Sequence, residues 1–126
     1  MIYLPVSCRI LTPGHIKIIK HLLKEDKVIV GLLTRKAMEG YKEEIMPYKD
    51  RLFILENLDL NVRVVAQKSL NPKRNLKKYK CTAIASGDGW EQSEVDAVNE
   101  LDIEMIDVKL PGEKKKKYSS SKILNI

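Results

Sequence analysis

The sequence predicts one small α/β domain, an open parallel sheet covered by helices on both faces in a three-layer sandwich. Three observations lead there. Short β-rich runs alternate with helix-periodic segments along the whole chain, and that alternation builds parallel β-α-β units. The run Val28-Ile29-Val30-Gly31-Leu32-Leu33 is almost continuously apolar, as a strand buried on both sides requires. No internal repeat or linker divides the 126 residues, about one domain's length.

In chain order, residues 6–11 follow a short apolar opening and read as the first strand and its exit. Thr12-Pro13-Gly14 is a turn, and Thr12 can cap a helix with Ile16, Ile19, Leu22 and Leu23 on one face. The second strand is 28–33, and Thr34 can cap a short helix ending at Gly40. Pro47 opens the next helix, with Leu52, Leu55 and Leu58 repeating along it. Residues 62–66 read as the third strand and 82–85 as the fourth. The polar, basic stretch 71–80 between them is a loop or a short solvated helix. Residues 91–101 read as a helix, 103–108 as a fifth strand, and 119–126 as a capped terminal helix after a Lys-rich loop.

Lys and Arg number 23 against 17 Asp and Glu, a net charge of +6. That balance favours anionic ligands such as phosphates, nucleotides or nucleic acid. No apolar run approaches the ~18 residues of a membrane span, and the start Met1-Ile2-Tyr3-Leu4-Pro5 lacks a basic segment before an apolar one. Two cysteines, Cys8 and Cys81, in a Lys-rich chain fit a reducing cytosol without a disulfide framework. The expectation is a cytoplasmic protein without a membrane partner.

Three clusters can carry chemistry. Thr12-Pro13-Gly14-His15 lies between the first strand and first helix, beyond a strand's carboxyl end, where open α/β sheets bind ligands. A helix N-terminus there offers free N–H donors and the positive dipole end to a phosphate. Gly14 allows close approach, and His15 can donate to a phosphoryl oxygen that gains charge. The same residues also read as a plain turn glycine followed by a surface histidine. Gly87-Asp88-Gly89-Trp90 follows the fourth strand; Asp88 can accept from a sugar or a ligand amine, although such turns are common without ligands. Ser119, Ser120 and Ser121 open the terminal helix behind the lysines 114–117, and can clasp a phosphate chain or simply form a solvated basic tail. The histidines have no Cys or carboxylate partners at metal-ligand spacing, so no protein-held metal is expected.

Taken together and in order, these clusters resemble the HxGH-type nucleotidyltransferases, specifically the cytidylyltransferase group. The segments are Thr12-Pro13-Gly14-His15, Gly87-Asp88-Gly89-Trp90 and Tyr118-Ser119-Ser120-Ser121-Lys122-Ile123, with Tyr41-Lys42 and Tyr48-Lys49-Asp50-Arg51 between them. The chain is similar to glycerol-3-phosphate cytidylyltransferase and to the nucleotidyltransferase domains linked to phosphoenolpyruvate mutases. It departs from the pattern at Thr12 (commonly His), Arg9 (commonly Asp), Val6 (commonly Gly) and Gly89 (commonly Asp).

The resemblance implies a Rossmann-like five-stranded parallel sheet, usually dimeric. It also implies transfer of CMP from CTP, with Mg²⁺, to a small phosphate or phosphonate, releasing pyrophosphate. On it, His15, Thr12 and Lys42 are the catalytic candidates. Ser7, Gly14, Gly87, Asp88, Trp90, Lys114 and the three serines are the nucleotide-binding ones. Transfer from ATP, which Thr12 favours, stands second. A basic RNA-binding module using 73–80, or an inactive nucleotide binder, stands behind both.

Overall fold

Five strands and five helices alternate over residues 1–109, the part of the chain that the computed structural model describes. They run β1 (Ile2–Val6), α1 (Pro13–Leu23), β2 (Val28–Leu33), α2 (Arg35–Met38), α3 (Tyr48–Glu56), β3 (Arg63–Gln67), α4 (Lys73–Lys78), β4 (Ala83–Ser86), α5 (Gln92–Leu101) and β5 (Glu104–Asp107). All ladders are parallel, in the order β3-β2-β1-β4-β5. The chain thus winds outward from β1 to β3, then crosses back to build β4 and β5 on the other side. This is the Rossmann-like sheet that the sequence predicts. Its order reverses between β1 and β4, and a crevice opens beyond the carboxyl ends of the strands at such a switch point.

The side-chain period of two in each strand splits the core into two layers. Ile2, Leu4, Val28, Val30 and Leu32 pack with Ile18, Ile19 and Leu22 of α1 and Leu55 of α3. Tyr3, Ile29, Val65 and Ile84 face the other way, against Leu76 of α4 and Ala97 and Val98 of α5. Each fully buried Leu or Ile contributes roughly 1.5–3 kcal/mol relative to exposure. The continuous β2 run is buried at every position. It has helices on both sides, which is why it shows no polar alternation.

One polar network crosses the second layer. Tyr3 donates its hydroxyl to Gln67 Oε1 (2.7 Å), and Asn75 Nδ2 donates to the same hydroxyl (2.9 Å) and to the Ala66 carbonyl (2.9 Å). Gln67 Nε2 in turn donates to the carbonyls of Ser69 and Leu70. Gly31 makes room for this: a Cβ there would stand 1.9 Å from the Tyr3 hydroxyl oxygen. A buried phenol with both functions satisfied avoids the roughly 1–3 kcal/mol cost of an unpaired polar group.

Several boundaries differ from the sequence reading. The first strand is Ile2–Val6 rather than 6–11. Pro5 lacks a ladder donor, but the pairing with β4 ends at Tyr3 and the proline lies beyond it. β3 and β4 each run one residue further, to Gln67 and Ser86, because their ladders continue through polar residues paired with Leu33 and Asp107. The basic stretch forms α4, anchored by the buried Leu76. The Leu52, Leu55 and Leu58 stripe packs into the protein's own core, with Leu55 buried and the other two partly buried against the same cluster. The terminal helix expected at 119–126 lies outside the described residues.

Candidate active site

The crevice beyond β1 and β4 is lined by Ser7, His15, Lys42, Gly87 and Asp88, five of the residues singled out from sequence. Each arrives from a different piece of chain. Ser7 follows β1, His15 sits in the first turn of α1, Lys42 follows α2, and Gly87 and Asp88 follow β4.

His15 is fixed by the start of its own helix. The backbone N–H of Thr12 donates to His15 Nδ1 at 3.0 Å, and the Thr12 hydroxyl lies 3.1 Å from the same nitrogen. A backbone donor needs an unprotonated acceptor, so Nδ1 is the bare nitrogen and the ring proton sits on Nε2. The ring is therefore held in the tautomer that can donate. Thr12 is buried and outside the lining, so it acts on the cleft through His15. Pro13 presets the first helical φ. Gly14 is also outside the lining; a Cβ there would make only ordinary contact with Thr12.

Across the cleft, the Lys42 ammonium lies 5.1 Å from the centre of the Tyr41 ring, a cation–π distance. Tyr41 itself lines the cleft. Burial pushes its phenol up to about 12, assisted by the charge of Glu91, a hydrogen bond to it, and the charges of Glu94 and Asp88. The phenol thus stays protonated. Burial also raises the Glu94 carboxyl above the ordinary glutamate range. Its Oε1 accepts from the Glu91 backbone N–H at 2.9 Å and so caps α5, which opposes that rise. Asp88, Glu91 and Glu94 bring three carboxylates into the cleft lining, which also holds Lys42 and His15.

The β4 exit is a tight turn. The Ser86 hydroxyl donates to the Gly89 carbonyl and accepts from the Asp88 backbone N–H. Gly89 takes φ +96°, a conformation that favours glycine. Trp90 is turned away from the cleft: it packs against the second core layer and donates Nε1 to Asp107 Oδ1 at 2.8 Å. Here the tryptophan fastens the β4 exit to the end of β5. Lys114, Ser119, Ser120 and Ser121 lie outside the described residues.

A buried arginine organises the floor. Arg51 donates from Nε to the Met46 carbonyl and from Nη1 to the carbonyls of Ser7 and Leu33, at 2.7 to 2.9 Å. Its Nη2 pairs with Glu44 at 2.7 Å. One guanidinium therefore pins the exits of β1 and β2 to α3. Sequence reading placed Arg51 in a motif but could not see this task, because its partners are carbonyls 18 and 44 residues away. Tyr41 is visible beside Lys42, whereas Gln67, Glu91 and Glu94 carry no local signature. Cys8, just after β1, has its thiol pushed up to about 12 by burial, opposed by Arg51 and Lys42, so it is no nucleophile. Among the described residues no helix is long and apolar enough to cross a membrane. No group of three or more His, Cys, Asp or Glu among the described residues could hold a metal ion.

The comparisons with known proteins agree with this geometry. The model of the cytidylyltransferase-like family matches residues 9–126. A search of the curated proteins gives no match. Among solved structures, the lipopolysaccharide core biosynthesis protein from Thermoplasma volcanium superimposes with a TM-score of 0.73 at 21% identity, over 86% of this chain and 94% of that one. At that identity the likeness establishes the shared fold. The family match spans nearly the whole chain and supports nucleotidyl transfer as its activity. From its first helix onward, therefore, this chain belongs to the cytidylyltransferase-like family.

Proposed function

We propose that the protein transfers a cytidylyl group from CTP to a small phosphate or phosphonate and releases pyrophosphate. The observation that carries this is the pairing across one cleft of His15, locked as an Nε2 donor by Thr12, with Lys42. An ionised oxygen of the acceptor attacks the α-phosphorus in line, the bond to the β-phosphate bridging oxygen breaks, and its electron pair leaves on pyrophosphate. No general base is needed, because the acceptor oxygen is already deprotonated. The protein's work is positioning and charge stabilisation. His15 and the N-terminus of α1 steady the α-phosphate, while Lys42 offsets acceptor charge. The carboxylates of Asp88, Glu91 and Glu94 repel phosphates and suit nucleoside hydroxyl and amine donors. Mg²⁺ belongs to this scheme as part of the nucleotide substrate, and Lys114, Ser119, Ser120 and Ser121 serve the β- and γ-phosphates. The working unit is a homodimer in the cytoplasm; this rests on the resemblance, with the exposed Phe53 of α3 as an apolar surface position.

A panel of the four nucleoside triphosphates with Mg²⁺ tests the base. CTP should raise the melting temperature most, by mass action on the native state, and should support pyrophosphate release. A larger shift with ATP replaces the reading by adenylyl transfer, the alternative that Thr12 favours. No shift with any of them rejects both.

A further inference from the structure

A second groove adjoins the active-site cleft along the carboxyl edge of the sheet. It is lined by Lys68, Arg74, Lys78, Tyr79 and the asparagines 71 and 75, with no carboxylate in its lining. Gln67 lines both this groove and the cleft, so one buried side chain is their common wall. That wall is fixed: Gln67 is tied to Tyr3, Ser69 and Leu70. Tyr79 is flanked by two cations, Arg63 at 4.9 Å and Lys78 at 5.4 Å from its ring centre. Lys73 of α4 is neutralised by Glu100 at 2.5 Å. Lys68 and Arg74 form no ion pair among the described residues, and both are exposed. Three cations, Lys68, Arg74 and Lys78, are thus gathered in a groove that adjoins the cleft.

Resting on the cytidylyl-transfer reading, we infer that the acceptor carries a second anionic group, distant from its reacting phosphate, and that this group is held by Lys68, Arg74 and Lys78. The carboxylates in the cleft lining, Asp88, Glu91 and Glu94, disfavour such a group there, whereas the second groove has none in its lining. Gln67, shared by both linings, sets the positive groove directly beside the cleft. An acceptor with a lone phosphate leaves this groove unused; one with a phosphate at one end and a carboxylate or second phosphate at the other fills both.

Matched probes separate the two. Isothermal titration of 4-phosphonobutyrate and of butylphosphonate, which differ by the terminal carboxylate, should show at least ~10-fold tighter binding of the carboxylate to the wild type, the effect of one charge-assisted contact. In Lys68→Gln/Arg74→Gln/Lys78→Gln that preference should collapse to less than about twofold. Circular dichroism checks folding, and because all three side chains are exposed the core is untouched. Equal binding of the two probes by the wild type, or a preference that survives in the triple variant, overturns the inference. So does a short RNA that binds the wild type with steep salt dependence and is lost in the variant while both phosphonates bind alike. Titration needs no turnover, so the groove's preference is read independently of the nucleoside triphosphate panel, whose failure rejects cytidylyl transfer without touching the measured preference.

Discussion

His15 and Thr12 divide one task between them, and single substitutions should separate the parts. His15→Ala removes the donor and should lower kcat on the order of 10²-fold, the usual scale for losing a transition-state donor, with folding intact. Thr12→Ala keeps the backbone N–H that fixes Nδ1 and should cost roughly tenfold or less, about 1.4 kcal/mol of barrier. Equal losses in the two variants would show that the hydroxyl, and not the backbone, orients the ring. Glu94 gives a pH test. Its carboxyl is raised by burial, so the folded state holds the proton more tightly than the unfolded chain. The resulting stability is present below the ordinary glutamate value of 4.5 and is lost as pH rises through the folded-state value. Glu94→Gln can still accept from the Glu91 N–H but has no charge to desolvate. Its melting temperature relative to wild type should therefore be higher at pH 7 than at pH 4; a constant difference would sink the assignment. At this scale the sequence exposed the residues whose chemistry is local. His15 beside a helix cap and Asp88 between glycines stand out in any reading. Trp90 packs on the core layer and reaches Asp107, outside the cleft lining, a placement that a single sequence does not reveal.

Among the elements, β2 was the most legible, since six successive buried positions leave their mark as an unbroken apolar run. The ends of β3 and β4 were the least. Gln67 and Ser86 are polar residues continuing a ladder, and backbone pairing writes nothing into side-chain pattern. Pro5 sits inside β1 although it has no donor, because at that position the β1–β4 pairing has stopped. Gly31 shows what the pattern conceals even in a well-read strand. Gly31→Ala drives a methyl into the Tyr3 side chain, whose hydroxyl oxygen and Cζ would be 1.9 and 2.3 Å away. Overpacking of this kind costs about 1–3 kcal/mol, and in mid-sheet the backbone has little room to shift. Chemical denaturation of Gly31→Ala, Tyr3→Leu and the double variant measures it. The pair should be strongly coupled, with the glycine change costing less once the ring is gone. Additive losses would mean that the two do not meet.

At the scale of the whole molecule, Arg51 decides whether the cleft exists. It holds the β1 and β2 exits to α3 through two hydrogen bonds, and two more tie it to Met46 and Glu44 in the segment before α3. Removing one partner of a buried charge pair costs about 3–5 kcal/mol, so Arg51→Met should lower the melting temperature sharply. Arg51→Lys should recover little of it, because a single ammonium cannot reach the acceptors that a planar fork spans. If Arg51→Lys retains wild-type stability, the arginine serves only as a charge. The dependence on α3 has a further consequence. The lining of the cleft is drawn from the ends of β1, β2, β3 and β4 together, so no strand can peel away while a ligand remains seated. Occupancy then guards the slowest backbone amides of the sheet, those that exchange with solvent only when the entire domain opens. Ligand at a hundred times its Kd adds about 2.7 kcal/mol to that opening. Amides deep in β1 and β2, none of them touching the nucleotide, would exchange their hydrogens for deuterium roughly a hundredfold more slowly.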